Sequence, residues 1–279
     1  MRMLITALLA AVSWPLPTIA AERLDPELIA AVQDAQARGA VMFSYDQAAW
    51  HASDRLQADL SGSQSAINSP LLRSLRGYIV EPGDGGRLIV VFYGVLDQTP
   101  EAFARYVMSG SDVVSGGIVP PDGERGLSPL ALRMIEARAK AVERIKTDGH
   151  GLCTPSPANT LILPADGARP MSVYILSSTS RNDHYPAGGH YRFDFDQNNQ
   201  LIFERAFMKS CIDINTEPKQ GERAGYFVIS HLLDETPTEI HAFVSHYVPI
   251  PMLVVTTRNK HSWIVANGTI QTSGSASKP

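Results

Sequence analysis

The chain has 279 residues, of which 44% are hydrophobic and 19% are charged, and its formal net charge is -4. This length provides for one large domain or two small ones with a substantial core, and the composition is that of a globular protein. Lys and Arg form no cluster of the kind that nucleic acids require, so we expect no nucleic-acid partner.

Residues 1–21 have the pattern of a signal peptide. Arg2 supplies a positive charge, an apolar segment follows over 4–12, and Ala20 and Ala21 are small enough for signal-peptidase cleavage. The apolar segment is too short for a permanent membrane span, and no later stretch is long and apolar enough for one. We therefore predict an exported protein, periplasmic or secreted, whose mature chain has no membrane span.

Residues 22–150 are predicted to form an α+β unit in which N-terminal helices pack on an antiparallel meander. Asp25-Pro26 can cap and open a first helix, and Arg38-Gly39 has the chemistry of a helix end. Apolar residues at helical spacing predict a second helix over 46–60 and another over 128–146. Strand-like segments alternate with turns between these helices, although Thr99-Pro100-Glu101 could instead start a short helix. These strand-like segments are 77–81, 87–96, 103–108 and 112–119.

Residues 151–271 are predicted to form a second unit that is mainly antiparallel β-sheet. The expected strands are 160–163, 171–177, 189–196, 200–207, 226–233, 238–246, 252–257, 263–266 and 269–270. Asn267-Gly268 between the last two is a strong hairpin signal, which explains this dipeptide better than its match to a glycosylation acceptor. The tail, residues 272–279, has nothing to bury and is expected to be disordered.

The register of one hairpin can be derived from its loop. If 197–199 form a three-residue loop that ends on a left-handed Asn199, then Phe195 lies opposite Leu201. The same register places Arg192 opposite Glu204.

The two cysteines, Cys153 and Cys211, are expected to form a disulfide, because a lone pair in an exported protein usually does. A catalytic thiol at either position is the alternative, although neither cysteine lies in a known signature.

Four polar residues of the second unit are the candidate catalytic site: His190, Arg192, Glu239 and His241. Alternate residues of a strand share a face, so His190 and Arg192 project together, as do Glu239 and His241 if 238–246 is a strand. On neighbouring strands they could line one cleft, with Glu239 orienting His241 as a base and Arg192 holding a carboxylate or phosphate. The structural alternative is that Arg192 forms a cross-strand ion pair with Glu204.

A metal site is a second hypothesis, because histidines are dense in this half of the chain. The histidines concerned are His184, His190, His231, His241 and His246. Zinc needs three or four ligands, but no compact metal motif is present, so the sequence assigns no metal ligand and no cofactor. Gly188-Gly189 lacks the lysine and following helix of a phosphate loop and indicates a tight bend or a close backbone approach.

The motifs of the second half resemble those of a group of uncharacterised exported bacterial proteins. The resemblance rests on Gly188-Gly189-His190-Tyr191-Arg192, Cys211, His231-Leu232-Leu233-Asp234 and Pro237-Thr238-Glu239-Ile240-His241-Ala242-Phe243, and it implies no activity or ligand. We expect a non-enzymatic binding or structural protein of the cell envelope, whose partner is a small molecule or an envelope protein. The alternative is a hydrolase-like enzyme that uses the four candidate residues, with or without a metal.

Overall fold

The structure, a computed structural model, describes residues 24–167, 169–179, 181–218 and 225–275. Residues 1–21, the predicted signal peptide, lie outside the described residues. The described chain is built from helices and largely antiparallel sheets, with a helix and a strand meander first and further sheets after them. The predicted α+β class is confirmed.

The helices are α1 (Pro26–Ser61), α2 (Gln64–Ile67), α3 (Pro70–Arg73), α4 (Pro129–Thr147) and α5 (Glu239–Val244). The strands are β1 (Leu75–Pro82), β2 (Leu88–Leu96), β3 (Thr99–Ser109), β4 (Asp112–Ile118), β5 (Asn159–Leu163), β6 (Met171–Leu176), β7 (His184–Pro186), β8 (Tyr191–Phe195), β9 (Leu201–Ala206), β10 (Asp213–Asn215), β11 (Phe227–His231), β12 (Met252–Thr256), β13 (His261–Ala266) and β14 (Thr269–Ser275).

The strands form four sheets, in the orders β1-β2-β3-β4, β5-β6-β8-β9, β10-β7 and β11-β12-β13-β14. The first sheet is the predicted meander, and Thr99-Pro100-Glu101 lies in strand β3 rather than starting a helix. In the last sheet, β11 and β12 are parallel. A parallel pair needs a crossover connection, and the segment that contains α5 provides it.

Helix α1 is one continuous helix where the sequence predicted two. Asp25 caps it as expected, by accepting a hydrogen bond from the N–H of Glu27 at 2.9 Å. The prediction that Gly39 ends the first helix is wrong, because Gly39 is the point where α1 crosses α5. A Cβ at Gly39 would lie 2.6 Å from the Cβ of Ala242, so the glycine allows a close crossing.

The hairpin of β8 and β9 has the predicted loop, but its register shifts after one pair. Asn199 is left-handed, with φ of 55°, and Phe195 pairs with Leu201, as predicted. Ile202 is then an extra residue on β9, and Arg192 lies opposite Arg205. The predicted pairing of Arg192 with Glu204 is therefore wrong, because a bulge cannot be derived from loop length alone.

Two hydrophobic clusters cover both faces of the β1-β2-β3-β4 sheet and of the β5-β6-β8-β9 sheet. One cluster joins α1 to Phe92 and Tyr106 of the first sheet and to Tyr174 of the second. The other joins α4 to Val91 on the opposite face of the first sheet and to Phe193 of the second. Helix α4 begins at a Ser128 cap, as predicted. Residues from both predicted units share each cluster, so α1 and α4 position the polar residues of the second half.

Strand β14 runs to Ser275 and so extends into the segment that was predicted to be a disordered tail from residue 272. The rest of that tail, residues 276–279, lies outside the described residues. Of the helices within the described ranges, none combines the length and apolar character that crossing a bilayer requires.

Candidate functional site

The predicted strand over 238–246 is wrong, because the segment forms helix α5. All six residues of the helix are buried, so its sequence shows neither the alternation of a strand nor the stripe of an amphipathic helix. Pro237 and Thr238 mark its start. The Nδ1 atom of His241 accepts a hydrogen bond from the N–H of Thr238 at 3.0 Å, as the third residue of a capping box does.

Glu239 and Arg192 are brought together in an ion pair. Arg192 Nη1 donates to Glu239 Oε1 at 2.7 Å, and Arg192 Nε lies 3.2 Å from Asp194 Oδ1. The hydroxyl of Tyr174 donates to the same Glu239 oxygen at 3.2 Å, and Arg38 Nε donates to that hydroxyl at 3.0 Å. This network ties α1, β6, β8 and α5 together, so each charge has a protein partner.

His241 lies deep in the interior beside His231. Its Nδ1 accepts from a backbone N–H, so the proton of the neutral ring is on Nε2, which has no hydrogen-bond partner among the described residues. The ring centroids of His231 and His241 are 4.8 Å apart and the rings meet edge to face. Burial first, and then the charge of His231, lowers the pKa of His241 from 6.5 to about 3.

His231 is held by a carboxylate that is itself held by an arginine. Its Nε2 lies 2.8 Å from Asp234 Oδ2, and Arg205 donates to the same oxygen at 2.6 Å. Burial acts to raise the pKa of Asp234, but the bonds from His231 and Arg205 outweigh it and hold that pKa well below its ordinary range. His231 is fully buried, so it is a hydrogen-bonded histidine of the core.

His190 has both ring nitrogens bonded to backbone. Its Nδ1 accepts from the N–H of Ser177 at 3.2 Å, and its Nε2 lies 2.9 Å from the carbonyl oxygen of Pro186. Burial lowers the pKa of His190 from 6.5 to about 4, so the ring is neutral near pH 7. Of the four candidate residues, Arg192 and Glu239 contact each other, whereas His241 and His190 are each bonded elsewhere.

The five histidines of the metal hypothesis do not meet at one point. His184 lies between Asp213 and Glu217, and His246 stacks on Phe43 with 4.0 Å between ring centroids. A different group, Asp148, His150 and Glu204, has ligand atoms within 4.8 Å of one another. Arg144 Nε already lies 3.0 Å from Asp148 Oδ2 and 2.9 Å from Glu204 Oε2. An ion-pair cluster therefore explains this group without a metal.

The predicted disulfide between Cys153 and Cys211 is present, with an S–S distance of 2.13 Å and 5.2 Å between the Cα atoms. It encloses the Gly188-Gly189 segment. A Cβ at Gly189 would lie 2.6 Å from Cys153 Sγ, and one at Gly188 would lie 3.1 Å from the Cα of Cys211. The interpretation of these glycines as a site of close backbone approach is confirmed.

Several elements meet at a cleft of about 480 Å³ that lies along helix α1. We call it the α1 cleft. Helix α1 contributes four residues at helical spacing, and the remaining walls come from β1, the sheet of β5 and β6, strand β7 and the α5 region. Its lining residues are Asp46, Ala49, Trp50, Ser53, Tyr78, Asn159, Leu176, Ser177, Ser178, Thr179, Tyr185, Pro186, His190, Phe243, Val244 and Tyr247.

Asp46 is the charged group of the α1 cleft, and two neighbours orient it. The hydroxyl of Tyr247 donates to Asp46 Oδ2 at 2.5 Å, and Gln47 Nε2 donates to that hydroxyl at 3.2 Å. Burial raises the pKa of Asp46 above 3.8, and the bond from Tyr247 opposes the rise. Burial, with the nearby Asp46 charge, also raises the pKa of Tyr78 to about 12. Asp46 Oδ1 makes no hydrogen bond within the described part of the chain.

No sequence pattern identifies Asp46, Tyr78 or Tyr247 as a site residue. Trp50 shares the helical face of Ala49 and Ser53 and yet is 54% exposed, which the structure reveals and the sequence does not. A large aromatic on a helix face that is otherwise covered indicates an opening in the packing. Tyr247, the hydrogen-bond partner of Asp46, lies about two hundred residues away, beyond the reach of any local pattern.

Comparison with family models, with curated proteins and with solved structures finds no match.

Proposed function

We propose that this protein is a non-enzymatic binding protein of an extracytoplasmic compartment, and that it holds a small ligand in the α1 cleft. The observation that carries the proposal is the cleft itself, a concave site with aromatic walls and one oriented carboxylate. Its volume of about 480 Å³ lies in the range of small-molecule sites.

The lining supports binding because it combines apolar surface with polar groups that a ligand can use. Trp50, Tyr78, Tyr185 and Tyr247 offer aromatic surface, and Asp46, Asn159 and Thr179 offer polar atoms. Most small-molecule sites have this composition, in which the apolar walls provide affinity and a few polar groups fix orientation.

The bonding of the four candidate catalytic residues favours binding over hydrolysis. Of the four, His190 lines the α1 cleft, and both its nitrogens are committed to backbone groups. Arg192 and Glu239 form a buried pair, and His241 caps its own helix. A general base needs a nitrogen that can reach the substrate, and His190 has none to spare.

Two observations support export. Residues 1–21 have the pattern of a signal peptide, and disulfides such as Cys153–Cys211 persist mainly in oxidising compartments. A periplasmic or secreted protein of this kind meets small molecules and envelope proteins, and the cleft suits the small molecules.

The proposal is tested by blocking the cleft. Purified wild type is screened by thermal shift against cationic, neutral and anionic metabolites, together with Ser53→Trp, which fills the cleft, and Ser61→Trp as its control. Both serines lie on α1 and bond back to the carbonyl of an earlier residue, but Ser61 is exposed and away from the cleft. We expect a ligand that raises the Tm of wild type and Ser61→Trp but leaves Ser53→Trp unmoved.

Two results would contradict the proposal. One is a screen in which no compound of any charge class raises the Tm, or in which Ser53→Trp responds as wild type does. The other is chemical conversion of the bound ligand, as detected by NMR of the incubated mixture. That result would mean that the protein is an enzyme and not a binding protein.

A further inference from the structure

The charge of the α1 cleft is one-sided. Asp46 is a carboxylate, and the lining residues that belong to the described ranges include no lysine and no arginine. His190, which also lines the cleft, is neutral near pH 7 because burial lowers its pKa to about 4. An anionic ligand would meet the Asp46 carboxylate without a compensating cation, whereas a cationic ligand would neutralise it.

The aromatic side chains of the cleft add attraction for a cation. Trp50 on α1, Tyr78 on β1, Tyr185 on β7 and Tyr247 after α5 come from four separate elements, so they border the cleft from different sides. The faces of tryptophan and tyrosine rings attract cations, and sites for organic ammonium groups are commonly built as aromatic cages.

Asp46 is placed to complete such a cage. The Gln47–Tyr247–Asp46 chain of hydrogen bonds fixes the carboxylate through Oδ2 and leaves Oδ1 without a partner in the described chain. An ammonium group at Oδ1 would satisfy the half of the carboxylate that the protein does not use. The cost of removing that group from water is then offset by the carboxylate charge and by contact with the aromatic residues that line the cleft.

We propose that the ligand of the α1 cleft is an organic ammonium cation, bound by the Asp46 carboxylate and the surrounding tryptophan and tyrosine rings. This inference rests on the proposed binding function and names its ligand class. Tyr247 and Gln47 act as positioning residues, because they hold the carboxylate that contacts the ligand.

The test compares ligands that differ in charge but not in shape. Binding of choline and of its uncharged isostere, dimethylbutanol, is measured by titration calorimetry, and butylammonium and butanol form a second pair. We expect each cation to bind at least about tenfold more tightly than its neutral partner. Asp46→Asn keeps an acceptor for the Tyr247 hydroxyl but removes the charge, so it should abolish most of that preference and leave the neutral ligands unaffected.

Equal binding of the charged and neutral partners would overturn the inference, as would an unchanged preference in Asp46→Asn. Failure of both cations to bind would overturn it as well. The screen with Ser53→Trp keeps the two proposals separate, because a neutral or anionic ligand that depends on an open cleft would retain the binding function and reject the cation. Circular dichroism of Asp46→Asn checks that the variant is folded.

Discussion

At the scale of single residues, burial favours the neutral form of two histidines of the interior, His190 and His241. His190 and His241 are each 2% exposed, and burial lowers their pKa from 6.5 to about 4 and about 3. The arginines and carboxylates of the same region remain charged in pairs, as in Arg192–Glu239 and Arg205–Asp234. Polar residues that a sequence marks as catalytic can therefore be stabilising contacts of a buried network.

The buried histidines predict a loss of stability in mild acid. In the unfolded chain they take up protons below about pH 6.5, whereas His190 in the folded protein does so only near pH 4. The unfolded state therefore binds more protons between these values, and the free energy of unfolding falls as pH falls. Each histidine contributes about 1.4 kcal/mol per pH unit, and His190 about 3 kcal/mol over its window.

Urea denaturation between about pH 7 and about pH 5 measures this dependence. His190→Gln retains a donor and an acceptor but cannot be protonated, so its slope should be lower than that of wild type, by a difference that grows toward about 1.4 kcal/mol per pH unit as the pH approaches about 5. An identical slope in the variant would show that His190 is not the group that takes up the proton.

At the scale of elements, the packing of α1 against α5 depends on Gly39, which has no side chain. Alanine at Gly39 would favour the helix by about 1 kcal/mol, but its Cβ would lie 2.6 Å from the Cβ of Ala242 and 3.0 Å from the carbonyl oxygen of Glu239. We expect the overpacking to dominate, so that Gly39→Ala lowers the free energy of unfolding by about 1 to 3 kcal/mol.

A double-mutant cycle distinguishes this clash from a general effect on the helix. In Gly39→Ala/Ala242→Gly the two Cβ atoms no longer collide, so the double variant should be more stable than the sum of the single effects by about 1 kcal/mol. Ala40→Gly on the exposed face of α1 calibrates the helix preference alone. Additive effects in the cycle would mean that α1 and α5 can move apart at their crossing without a cost in free energy.

The helices and strands show where sequence patterns predict structure correctly and where they do not. Turns and alternation located most of the strands and the Ser128 cap, because they depend on contacts between residues close in sequence. The prediction for Gly39 is wrong because glycine occurs both at helix ends and at close helix crossings. The sequence alone does not distinguish the two. Helix α5 was predicted as a strand because a short, fully buried run has no periodicity to distinguish the two.

At the scale of the whole molecule, residues far apart in sequence make the α1 cleft. Asp46 and Tyr247 are separated by 201 positions, and no pattern in either segment points to the other. The histidine-rich segment was predicted to hold a site because its residue types are typical of catalytic and metal sites. The cleft that the fold creates instead uses tyrosines and a helix carboxylate that are ordinary in the sequence. The disulfide was predictable because two cysteines allow one pairing.

The disulfide is connected to the wall of the α1 cleft through a short chain of contacts. The N–H of Cys153 donates to Ser177 Oγ at 2.8 Å, and that hydroxyl donates to the carbonyl oxygen of Gly189 at 3.0 Å. Ser177 also donates its N–H to His190, and both residues line the cleft. The covalent link therefore holds the segment that forms one side of the proposed ligand site.

Removal of the link should act both globally and on the cleft. The two cysteines are 58 positions apart, so the chain-entropy model predicts that Cys153→Ser/Cys211→Ser lowers the free energy of unfolding by about 4 kcal/mol. Native-state hydrogen exchange should also show local opening at Gly188, Gly189 and His190 at a free energy below that of global unfolding, while amides of β2 exchange only through the global route. Ligand affinity should fall in parallel, because the open segment must be reordered on binding. Equal protection of this segment and β2 in the variant would mean that the disulfide acts only by restricting the unfolded chain. The cleft wall would then stay intact without it.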